Sequence, residues 1–185
     1  MRLLSLALSA LLGVAAANSY APPRPLLVGS EWGGYGFKFL PQGVNPASAS
    51  AKATRGELVQ LQPDGSLKTL WKRALVNTPS RVLLSPRGHV VTLDNWAGYS
   101  SPKHAVVVYS PQGKVTADLT YAQVMQGSPA CNACQSMDGP FLSWGYQKID
   151  FTSYGNGDEW FLILRDAKGK GPTLSLKTGK LKQMP

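Results

Sequence analysis

RVLLSPRGHVVTLDNW at residues 81–96, followed by AVVVYSPQGKVTADL at residues 105–119, decides the fold. In each stretch a short apolar run stops at Ser-Pro-x-Gly and a second run starts directly after it. Proline presets φ at the first turn position and glycine accepts a positive φ at the last. Pro86-Arg87-Gly88 and Pro111-Gln112-Gly113 therefore each predict a hairpin. The runs themselves are rich in valine and too short for helices, so they read as strands.

Outward from this stretch the same signals recur. Pro63-Asp64-Gly65 separates two further runs, and Gly33-Gly34 separates another pair. The reading predicts strands over 26–32, 35–40, 56–62, 66–75, 81–85, 89–96, 105–110, 114–119, 146–153, 158–165 and 172–177. A single short helix is expected over 121–126, and a long connection over 127–145. Helical periodicity is otherwise almost absent, so the class is all-β, built from antiparallel hairpins.

The Pro-x-Gly turns begin at 63, 86 and 111. That spacing is about half of the roughly 40 to 45 residues of a four-stranded propeller blade, so two hairpins make one blade. Residues 81–119 resemble the repeats of bacterial exported β-propeller-like proteins. The resemblance implies a partial or distorted propeller-like domain. About three blades do not easily close a ring, so a β-sandwich or barrel is the alternative architecture.

Met1-Arg2 followed by the apolar residues 3–17 reads as a secretory signal peptide, with Ala15 and Ala17 marking cleavage after Ala17. The apolar run is shorter than the about 20 residues of a membrane span, and no later run is longer. Residues 18–25, with Pro22, Pro23 and Pro25, form an expected flexible lead-in. Residues 26–185 form one β-rich domain, and the expected location is periplasmic or secreted.

The chain carries 19 basic and 10 acidic residues, a net charge of +9. Arg165, Lys168, Lys170, Lys177, Lys180 and Lys182 concentrate that excess near the end, as a solvated basic surface or a face for an anionic partner. No recognition motif accompanies the charge, so nucleic acid is not an expected partner. An envelope protein, a glycan or an anionic surface is.

Cys131-Asn132-Ala133-Cys134 reads as a local disulfide in an exported protein. Gln135 follows where haem attachment needs histidine, and the flanks lack the strand and helix of a thioredoxin-like site. With only His89 and His104 besides this pair, no metal site is expected, and no cofactor either. Trp32, Tyr35, Asp94, Asn95, Trp96 and Trp144 all lie beside glycines or at strand ends, as candidate ligand-binding residues with an aromatic platform. No Gly-x-Ser-x-Gly elbow is present. The expectation is thus a non-enzymatic binding or scaffold domain, with a small periplasmic enzyme or thiol-disulfide accessory protein built on Cys131 and Cys134 as the alternative.

Overall fold

The computed structural model describes residues 23–41, 53–96, 103–126, 134–136, 139–154, 157 and 159–183. All three Pro-x-Gly turns have one geometry. The glycine amide donates to the carbonyl three residues back, Gly65 to Gln62, Gly88 to Ser85 and Gly113 to Ser110, at 2.9, 3.0 and 2.8 Å. The glycine φ values are +83°, +77° and +78°. Gly169 repeats the bond to Asp166 at 3.0 Å without any proline. This is a type I turn closed by a left-handed residue, a loop whose twist suits a hairpin.

The turns organise three four-stranded antiparallel sheets, each a plain meander. The first sheet holds β1 (Leu26–Gly29), β2 (Tyr35–Leu40), β3 (Arg55–Leu61) and β4 (Leu67–Ala74). The second holds β5 (Arg81–Leu84), β6 (Val90–Leu93), β7 (Val106–Tyr109) and β8 (Val115–Leu119). After α1 (Tyr121–Met125) come a two-stranded ladder of β9 (Gln135–Ser136) and β10 (Gly139–Pro140), and then α2 (Leu142–Gly145). The third sheet holds β11 (Lys148–Tyr154), β12 (Glu159–Arg165), β13 (Pro172–Ser175) and β14 (Leu181–Gln183). The all-β class stands, and among the described residues no sheet closes into a barrel.

The structure departs from the sequence reading at the ends of β1 and β6, in β14, and in the expected 127–145 connection, which carries β9, β10 and a second helical turn, α2. β1 ends at Gly29 rather than 32, because Ser30 and Tyr35 close the loop by two bonds, Ser30 N to Tyr35 O and Tyr35 N to Ser30 Oγ, at 2.9 and 3.0 Å. β6 ends at Leu93 rather than 96, because Asp94 turns the chain with φ +62°. β14 was not expected. It completes the third sheet by pairing Leu181 with Leu174.

The second sheet is buried on both faces. One face brings Leu84, Val90, Val107 and Tyr109 against Phe37, Phe39, Leu58 and Trp71 of the first sheet. The other brings Val91, Leu93, Val106 and Val108 against Leu162, Leu164 and Leu174 of the third, with Val124 of α1 and Leu142 of α2 in the same cluster. Among the described residues no buried cluster joins the first sheet to the third. Leu27, Leu61 and Leu67 are left exposed on the first sheet.

The seam between the first two sheets also explains two turn glycines. A Cβ at Gly88 would lie 2.9 Å from the Tyr35 ring, and one at Gly113 would lie 2.9 Å from the Trp71 ring. Trp71 in turn contacts Phe37 and Tyr109, with ring centres 5.6 and 5.8 Å apart. Gly65 has the same φ class and open space around it. Denaturant melts separate the two effects: Gly65→Ala lowers stability by about 1 kcal/mol through the backbone alone, and Gly113→Ala by about 3 kcal/mol because the ring must also move.

Candidate functional site

The first strands of the three sheets converge on one cleft. β1 contributes Val28 and Gly29, β5 contributes Arg81 to Leu84, and β11 contributes Ile149, Asp150 and Phe151. Glu31 and Trp32 reach it from the loop after β1, and Trp160 from β12. Its volume is about 400 Å³, within the range of small-molecule sites. Trp32 is 80% exposed, an apolar ring held in water at the rim. Trp160 is half-buried, and its indole N–H donates to Gly157 O at 3.1 Å. Among the described residues, Glu31, Arg81 and Asp150 take part in no ion pair. The cleft therefore offers ring faces for stacking and both signs of charge for hydrogen bonding.

The other sequence-derived candidates are dispersed. Tyr35 packs at Gly88 and does not line this cleft. Trp96 is half-buried and its backbone N–H donates to Thr78 O at 2.8 Å. Trp144 belongs to α2, and its ring lies outside the described residues. Of Trp32, Tyr35 and Trp96, Trp32 alone lines this cleft. Trp160, Glu31, Arg81 and Asp150 were missed, because nothing local in the sequence marks residues that meet only when three sheets assemble.

Asp94 and Asn95 serve the protein's own backbone. The Asp94 carboxylate, 1% exposed, accepts from Leu142 N and Ser143 Oγ at 2.6 Å each, from Ser80 Oγ at 2.8 Å and from Ser143 N at 3.4 Å. Asn95 Oδ1 accepts from Thr78 N at 3.3 Å. Asn77 completes the arrangement: its amide donates to Asp94 O at 2.8 Å and its oxygen accepts from Thr92 Oγ1 at 3.0 Å. The carboxylate thus ties the end of β6 to α2 and to the segment before β5.

The basic stretch divides similarly. Arg165 is half-buried and donates to the carbonyls of Leu164, Gly171 and Pro172 and to Thr173 Oγ1, all at 2.8–2.9 Å. It braces the third sheet. Lys168, Lys170, Lys177, Lys180 and Lys182 are exposed, with Lys182 Nζ 5.3 Å from the centre of the Phe161 ring. Cys134 is fully buried and is not a free thiol; Cys131 lies outside the described residues. Among the described residues no three His, Cys, Asp or Glu side chains are grouped to hold a metal ion, and no helix is long and apolar enough to cross a membrane.

Burial pushes the Asp94 carboxyl above the usual carboxylate range, opposed by the bonds from Ser143, Ser80 and Leu142. The folded chain then holds this proton more tightly than the unfolded chain. The group's contribution is full below about pH 4 and is lost as pH rises through the raised folded value. Asp94→Ala orphans several buried donors and lowers stability by about 3 kcal/mol. Asp94→Asn keeps an acceptor and tolerates the left-handed φ, so it loses about half as much and removes this group's part of the pH dependence. Melts across pH for the three proteins measure both effects. No family model, curated protein or solved structure matches this chain.

Proposed function

We propose that this chain is an exported, non-enzymatic binding domain with three propeller-like blades, and that its ligand sits in the cleft where β1, β5 and β11 converge. The observation that carries the reading is Trp32, an aromatic ring kept in water at the mouth of a cleft that also holds Trp160 and three charged groups outside any described ion pair. A short glycan fits this chemistry. Its apolar sugar faces stack on the rings, and its hydroxyls bond to Glu31, Arg81 and Asp150. The leader-like residues 1–17 support export. A structural bridge between Cys131 and Cys134 belongs to the same reading, and the full burial of Cys134 speaks against thiol-disulfide chemistry there.

Two measurements test this. Titration of mature protein with a panel of sugar oligomers, followed by tryptophan fluorescence, is expected to find a binder whose affinity drops about tenfold or more in Trp32→Ala, while stability changes by less than about 0.5 kcal/mol. Equal affinity of wild type and variant removes the cleft as the seat. Separately, Cys131→Ser with Cys134→Ser is expected to leave a folded protein less stable by about 1 to 2 kcal/mol, since so short a loop restricts the unfolded chain little.

A further inference from the structure

A second cleft, of about 300 Å³, lies beside the first and is lined by Arg87, His89, Pro111, Trp160 and Lys177. Its walls come from the β5–β6, β7–β8 and β13–β14 turns and from β12, so it spans the second and third sheets. It shares Trp160 with the first cleft, and Arg87 follows Pro86 of that cleft directly. Three basic side chains line this space and no acidic one does.

Among the described residues, neither Arg87 nor Lys177 takes part in an ion pair. His89 Nδ1 is buried and has no hydrogen-bond partner. A protein surface ordinarily intersperses its charges, and a buried polar atom ordinarily finds a partner. Arg87, Lys177 and the His89 ring line the same pocket. A tetrahedral oxyanion fits this space: it accepts from the guanidinium fork and the ammonium, and its charge favours the protonated form of the His89 ring beside it.

We infer that the Arg87, His89 and Lys177 pocket is an oxyanion subsite that takes a phosphate group. Because it shares a wall with the cleft described above, the phosphate belongs to the ligand of that cleft, which makes that ligand a phosphorylated glycan rather than a neutral one. This second statement rests on the glycan reading; the first does not. Burial alone holds the free His89 ring below the ordinary histidine value, so occupation by an anion raises it.

Inorganic phosphate is the first probe, added to mature protein at constant ionic strength while the His89 ring is followed by NMR. The expected result is a saturable shift, with the His89 pKa raised in the bound protein. The double variant Arg87→Ala, Lys177→Ala weakens binding about tenfold or more, whereas Lys168→Ala and Trp32→Ala leave it unchanged. Chloride producing the same response, or the double variant binding as wild type does, overturns the subsite. The second probe is a sugar phosphate against the same sugar without phosphate. Preference for the phosphorylated sugar, lost in the double variant, is expected, with Trp32→Ala weakening both sugars alike. Inorganic phosphate binding with no preference between the sugars keeps the subsite and overturns its link to the cleft. Loss of sugar binding alone in Trp32→Ala, with phosphate binding intact, separates the two sites.

Discussion

The middle sheet has apolar side chains on both faces, and that constraint shapes everything around it. β6 and β7 are buried at every position, Val90 to Leu93 and Val106 to Tyr109. Neither strand can face water on alternate residues as a one-sided sheet does. Each face therefore needs its own cover, and the first and third sheets supply it. Burying a side chain such as Leu93 or Val107 contributes roughly 1.5 to 3 kcal/mol, so uncovering the apolar side chains of either face costs about as much as the whole stability of an ordinary domain.

Covering both faces sets the sheets side by side with their first strands toward one another. The cleft is the space left where those strands meet, and its chemistry comes from their ends and the loops beside them. Asp94 and Arg165 work behind this arrangement. Each uses its charged group on backbone partners, Asp94 across an interface between elements and Arg165 within one sheet. Charges so placed are costly to bury and are met by several hydrogen bonds, whereas at the cleft Glu31 and Arg81 face solvent and Asp150 gives one carboxylate oxygen to Phe151 N.

The hairpins were legible because their turns carry local chemistry. Proline and glycine at fixed positions act within four residues, and the structure reproduces one hydrogen-bond pattern at 63, 86 and 111. β14 was not legible, since Leu181-Lys182-Gln183 has one apolar side chain in a lysine-rich stretch and is a strand only because Leu174 lies opposite. α2 is a single turn, too short for periodicity, and its first amide is held by a carboxylate 48 residues earlier. Of the aromatic candidates, Trp32 reached the cleft and Tyr35 did not. They are three positions apart, but the first lies on a loop and the second on a strand, with its ring in the seam between two sheets. Asp94 has the composition of a loop-mouth ligand; only its long-range donors reveal the other use.

The meander has a kinetic side. Within the three sheets every ladder joins strands that follow one another in the chain, the longest connection being residues 41–54, so closing each ladder restricts only a local loop, whose entropy cost grows slowly with length. Such local pairing lowers contact order relative to sandwiches whose neighbouring strands come from distant sequence. Strand search is then a minor part of folding. The slow event is the meeting of preformed hairpins across two seams, where Trp71 must seat on Gly113 and Leu142 must reach Asp94, and the molecule gains its cooperativity at those seams rather than within any sheet.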